Sequence, residues 1–172
     1  MLKGRAFKFG DDISTDLIVA GRLAHLRSNL PELAKHVLED ADPTFASRVN
    51  PGDFIVAGKN FGQGSSREHA PLVIKMVGVS AILVRSVARI FFRNAINQGL
   101  PVLICDTSRI ADGDELAIDL KEGLIIDTTN HQELSFNPIP GVMLKILGEG
   151  GLIPYIQKHG DLKFETEARE VL

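Results

Sequence analysis

The chain has 172 residues, 44% hydrophobic and 24% charged, with a formal net charge of −3. This composition excludes a disordered chain, and its acidic balance argues against nucleic acid as a partner. Cys105 is the single cysteine, which excludes an internal disulfide and any site built on several thiolates of this chain alone.

"KGRAFKFG" alternates and ends on glycine, as a first strand does. In "DDISTDLIVAG", Ser14, Thr15 and Asp16 read as a turn whose side chains hold local backbone groups. "GRLAHLRSN" is compatible with a loop or a short helix. "LPELAKHVLED" predicts an amphipathic helix opened by Pro31 and Glu32. "DADPTFASRVNPGD" is rich in turn residues and predicted to be exposed. "DFIVAG" then predicts a buried strand, Arg67 to Val77 a helix, "SAILVRS" a strand, "VARIFFRNAINQG" a helix closed by Gly99, and "LPVLIC" a strand. That alternation predicts an α/β core with parallel pairing, in which Cys105 is buried and inert.

"DELAIDL", "GLIIDTT" and "QELSF" predict a small antiparallel sheet or half-barrel. "GVMLKILGEGGLIPYIQKHG" has helical spacing broken near Gly148 to Gly151. The expectation is one domain over 1–172, ending in a charged tail from about residue 160. No apolar run reaches membrane-spanning length and "MLKGRAFKFG" lacks the apolar core of a signal peptide. The sequence therefore reads as cytoplasmic, with no membrane partner.

The stretch "GQGSSREHAP", Gly62 to Pro71, carries the chemistry. It lacks the spacing of a Walker loop, has Arg67 where a dinucleotide fingerprint needs a small residue, and has Glu68 where a hydrolase elbow needs glycine. Ser65 with Glu68 three residues on reads as a capping box. The same residues also read as an anion pocket. Gly62 and Gly64 let the backbone approach a ligand, both serines lie at a helix start that favours negative charge, and Arg67 offers a guanidinium fork to a carboxylate or phosphate. In that setting a serine can act as a base. Arg27 reads as a solvated charge or a ligand contact, and His69 as a supporting residue or a surface histidine. Phe91 and Phe92 read as core, with Arg89 and Arg93 flanking them. No histidine pair has metal-ligand spacing, and a cation site on Asp11, Asp12 and Asp16 lacks the required glycine and terminal glutamate.

"DDISTDLI", "GKNFGQGSSREHAP" and "VARIFFRNAINQGLPVL", in this order and spacing, resemble the aconitase swivel-domain family. As a separate chain of this size, the sequence is similar to the small subunits of isopropylmalate isomerase and homoaconitase. The resemblance covers the first two thirds strongly. It implies a swivelling β/β/α domain, with a mixed barrel-like sheet flanked by helices.

The resemblance also implies a hydro-lyase acting on a small hydroxy-carboxylic acid by dehydration and rehydration, active only with a large subunit that carries a 4Fe-4S cluster. This chain itself would bind no metal or cofactor. The family's base falls on Ser65, and its carboxylate-binding residues on Ser66, Arg67 and Arg27. Asp16, Gly62, Gly64 and His69 would support the site. His25 and Ser28 stand where relatives often carry tyrosine and threonine, and Arg27 suits a distal carboxylate. Leucine biosynthesis is the leading setting and homoaconitase or dual specificity the alternative. A non-catalytic anion-binding module and an RNA-binding regulator are the readings from other classes. Self-association of the isolated chain is compatible with the sequence.

Overall fold

The structure, a computed structural model, describes residues 1–161. Its strands are β1 (Leu2–Lys8), β2 (Phe54–Val56), β3 (Ala81–Val84), β4 (Val102–Ile104), β5 (Glu115–Asp119), β6 (Leu124–Asp127) and β7 (Gln132–Ser135). They form one sheet in the order β4-β3-β2-β1-β5-β6-β7. The parallel and antiparallel halves, legible separately in the sequence, join through β1. Residues 2–5 of that strand pair antiparallel with β5, and residues 6–8 pair parallel with β2. One strand serving two partners in succession curls the sheet into an open half-barrel, the mixed barrel-like sheet expected.

The short buried strands alternate between two cores because side chains on a strand have a period of two. Ile55, Ile82 and Val84 face a helical layer, while Phe54, Val56, Ala81 and Leu83 face Leu116, Ile118 and Ile125 of the antiparallel half. With both faces covered, the parallel strands read as continuous apolar runs.

The helices are α1 (Thr15–Ile18), α2 (Leu30–Ala34), α3 (Phe45–Arg48), α4 (His69–Met76), α5 (Arg89–Asn97), α6 (Gly141–Gly148) and α7 (Leu152–His159). "GRLAHL" is a 3-10 helix over Gly21–Leu26. The break between α6 and α7 falls where expected, with Gly150 and Gly151 at φ +87 and +133.

Three expectations need correction. First, α2 ends at Ala34, well short of the periodic stretch. The chain continues in turns, and Leu38 adopts φ +58, donates its N–H to the Ile18 carbonyl (2.9 Å) and is fully buried. A tertiary hydrogen bond and burial there outweigh helix continuation. Second, the turn-rich segment is not wholly exposed. Phe45 of α3 is completely buried, edge-on to Phe7 with ring centroids 5.2 Å apart. Third, α4 starts at His69 rather than Arg67, and the capping box does not form, because Glu68 is itself helical (φ −60, ψ −30) and caps with no side chain. The charged tail lies, from residue 162, outside the described residues.

Candidate active site

The segments "DDISTD" and "GKNFGQGSSR" are laced together. Asp12 N–H donates to the Lys59 carbonyl (2.8 Å), Gly62 N–H to Ile13 (2.7 Å), and Thr15 N–H to Gln63 (2.8 Å). Side chains add to this. Asp11 accepts from the Lys59 N–H at 2.7 Å, and Asp12 accepts from the Asn60 amide at 2.8 Å. Asp11 therefore fastens backbone and Asp12 the side chains of Asn60 and Gln63, and among the described residues no group of three or more His, Cys, Asp or Glu side chains could hold a metal ion.

Gly62 and Gly64 have φ of +73 and +103, and a Cβ on Gly62 would strike the root of the Phe91 side chain. Phe91 is buried edge-on to Phe61, with ring centroids 5.3 Å apart, so the loop lies directly on α5 because position 62 has no side chain.

Past Gly64, Ser65 and Ser66 are exposed. They line a cavity of about 350 Å³ together with Thr15, Gly62, Gly64 and Arg67 on one side and Ala88, Arg89, Ile90, Phe91 and Asn94 on the other. Thr15 holds this loop from beneath, and its hydroxyl donates to the Ser65 carbonyl at 2.9 Å. Of the turn read at 14–16, only Ser14 acts locally, accepting from the Leu17 N–H at 3.2 Å to cap α1.

Arg67 has a side chain only 13% exposed, and it pairs with Asp16 at 2.7 Å. Its other terminal nitrogen donates to the Val19 carbonyl and, at 3.5 Å, to that of Thr15. The fork is thus fixed in position by α1, with part of its donor set already engaged; guanidinium has five donors in all.

The expected helix-start electrostatics are present, but on a different helix. Ser65 and Ser66 precede α4 by several residues, whereas the first turn of α5 opens onto the cavity. Its N-cap is Ala88, which brings no capping side chain. The first turn of α5, with the positive end of its dipole, and residues Arg89 and Arg67 therefore line the same space.

His69, at the first position of α4, has a buried Nε2 without a hydrogen-bond partner. Burial, and then the charges of Arg27 and Arg67, hold its pKa below the ordinary value. Arg27 follows the 3-10 helix and is exposed. It does not line the cavity, but its charge acts on His69 beside Arg67, which puts it on the same side of the molecule. Ser65, Ser66 and Arg67 are thus brought together, with Asp16 paired to Arg67 and with His69 within the electrostatic reach of Arg67 and Arg27. Sequence reasoning missed the α5 wall, Ile90 and Asn94. Their i, i+4 spacing puts them on one helix face, a signal that cannot say what that face meets.

Cys105 is buried, and burial and the Asp106 charge push its thiol up to about 11. A lone, buried, protonated thiol does not fit an iron–sulfur cluster, whose ligands are thiolates in sets.

A curled mixed sheet with a serine–arginine loop at its helical edge defines an aconitase swivel-type domain. Residues 27–106 match the Aconitase C-terminal domain family. The chain is 67% identical over 160 residues to 3-isopropylmalate dehydratase small subunit 2 of Archaeoglobus fulgidus, covering 93% of this chain and 97% of that one. It is 58% identical to 3-isopropylmalate dehydratase small subunit 1 of Thermotoga maritima, with the same coverage of 93% and 97%. A crystal structure of 3-isopropylmalate dehydratase from Methanocaldococcus jannaschii superposes with a TM-score of 0.87 at 45% identity, over 92% of this chain and 95% of that one. The chain belongs to the 3-isopropylmalate dehydratase small-subunit family, a family of hydro-lyases.

Among the described residues no helix is long and apolar enough to cross a membrane.

Proposed function

We propose that this chain is the small subunit of a hydro-lyase that interconverts 2-isopropylmalate and 3-isopropylmalate by loss and re-addition of water, in the cytoplasm, as a step of leucine biosynthesis. The observation that carries this reading is the convergence of Ser65, Ser66 and an immobilised Arg67 on one cavity. Ser65 is the base. It removes the proton on the carbon next to a carboxylate, and negative charge builds on that carboxylate as the proton leaves. Ser66, through its hydroxyl or N–H, and the unengaged donors of Arg67 hold that group. Donors fixed before reaction stabilise the charge more in the transition state than in the ground state. A serine hydroxyl is a poor base in water, and the guanidinium of Arg67 with the positive end of α5 lowers the cost of its alkoxide. Arg27, outside the cavity lining but on the same side of the molecule, is the residue we assign to the second carboxylate once the large subunit has closed over the site.

A single cysteine cannot supply the set of thiolates that the cluster expected of the family needs, and we assign the cluster to the large subunit. Both serines are exposed in the isolated chain, and docking of the large subunit covers them and excludes water. The chain folds as one domain.

The test is anaerobic reconstitution with a cluster-loaded large subunit, following the unsaturated acid from 3-isopropylmalate and, in parallel, from homoisocitrate. Turnover of isopropylmalate that falls at least about a hundredfold in Ser65→Ala supports the assignment. Turnover of homoisocitrate alone moves the enzyme to the other substrate class. Absence of both with an intact cluster refutes catalysis.

A further inference from the structure

We infer that Thr15 is a positioning residue for the serine base, a role its sequence neighbourhood does not suggest. The inference rests on the reading of Ser65 as that base. Thr15 is 3% exposed and is among the few polar residues in the molecule's interior. It bonds to the active loop at Gln63, Ser65 and Arg67, and lies close to Gly64. Its N–H donates to the Gln63 carbonyl (2.8 Å), and its hydroxyl oxygen lies 3.3 Å from where a Cβ of Gly64 would sit. The same hydroxyl donates to the Ser65 carbonyl (2.9 Å), and its own carbonyl lies 3.5 Å from the Arg67 guanidinium. It lines the cavity as well.

The loop has little else to hold it at this point. Gly64 has no side chain, Ser65 and Ser66 are exposed, and helix α4 begins only at His69. With its carbonyl released, the peptide between Ser65 and Ser66 could turn about the backbone bonds of these two exposed residues. The Thr15 hydroxyl is the side-chain donor that fixes it, and with it the direction of the Ser65 side chain relative to Arg67. Because Asp16 of α1 and the carbonyl of Val19, the residue that caps α1, hold Arg67, the same short helix and its cap fix both the base and the guanidinium that supports it. A displacement of a reacting group by about 1 Å can cost about a hundredfold in rate. A weak base that depends on nearby positive charge is sensitive to such a displacement.

Thr15→Val separates this role from simple packing. Valine keeps the shape and branching, the backbone N–H to Gln63 is untouched, and only the donor to Ser65 is removed. Thr15→Ser restores the donor and removes a methyl group. In the reconstituted two-subunit enzyme, Thr15→Val is expected to lower kcat about ten- to a hundredfold with KM changed less than about threefold. Thr15→Ser should recover most of kcat. Both variants should bind the large subunit in titration as the parent does.

Parental kcat in Thr15→Val overturns the inference, as does equal impairment of both variants. A loss that disappears at saturating large subunit overturns it too, since the hydroxyl would then serve association. Ser65→Ala, assayed alongside, separates the two claims. An active Ser65→Ala enzyme removes the serine base itself, whereas an inactive one together with a fully active Thr15→Val removes only the role given to Thr15.

Discussion

Gly62→Ala perturbs the point where the active loop rests on the helical layer. At φ +73, alanine costs about 1–2 kcal/mol from its backbone conformation alone. Its Cβ would also lie 2.5 Å from Phe91 Cβ and 2.7 Å from Cδ2. These atoms are the root of the phenylalanine, so rotating the ring does not relieve the contact. Phe91 is 2% exposed and set against Phe61, which leaves α5 or the loop to move. Overpacking of this kind adds about 1–3 kcal/mol. The total of about 2–5 kcal/mol corresponds to a fall in melting temperature of about 4–20 °C for a chain of this size.

Gly64→Ala is the internal control. Its φ is +103, but its added Cβ meets only the Thr15 hydroxyl, at 3.3 Å. It should lose about 1–2 kcal/mol, or about 2–8 °C. Thermal unfolding of the isolated chain by circular dichroism measures both. A Gly62→Ala protein that melts no lower than Gly64→Ala would refute the argument that loop and helix are in close contact at Phe91.

Further outcomes follow from the same geometry. Asp16→Asn should leave the melting temperature within a few degrees, because the Asp16 carboxylate is 68% exposed and water screens it, while Arg67 keeps the Val19 and Thr15 carbonyls as acceptors. Turnover of the reconstituted enzyme should nonetheless fall as Arg67 loses its orientation. Arg67→Lys should lose at least about a hundredfold in kcat/KM, since one ammonium cannot reach Asp16, the α1 carbonyls and a substrate carboxylate together. His69 has a lowered pKa in the folded chain, so the unfolded chain binds its proton first as pH falls. Its contribution is complete above its ordinary value of 6.5 and is lost as pH falls from there through the folded pKa. The melting temperature of the parent should therefore drop more steeply below pH 6.5 than that of His69→Gln. Cys105, with its thiol pushed up to about 11, should react with iodoacetamide at pH 8 about a hundredfold more slowly in the native chain than in denaturant.

The strand–helix alternation from residue 54 to 104 was legible because those strands, buried on both faces, read as unbroken apolar runs and the helices between them as periodic ones. The antiparallel strands were legible from their turns. The length of α2 was not, since a helical apolar spacing at Leu33, Val37 and Leu38 looks the same whether Leu38 continues the helix or bonds to Ile18. Phe45 was hidden for a similar reason, as a single aromatic in a turn-rich segment carries no period.

The linear chain by itself determined the chemical identity of the active loop, with its two glycines, two serines and arginine in one run. It also determined the family, because three spaced motifs survive in order. Only the tertiary structure decided which helix lends the site its positive end. The sequence pointed to α4, the next helix after the serines, whereas the cavity faces the uncapped start of α5, about twenty residues further along the chain. Only the fold brought α1 under the loop, joining Thr15 to Ser65 and Asp16 to Arg67 across about fifty residues. The physical reason is the same in each case. Local patterns report which face of an element is apolar and which residues can cap or turn, but not which distant backbone groups will need a donor, because those partners exist only once the sheet has brought the segments together.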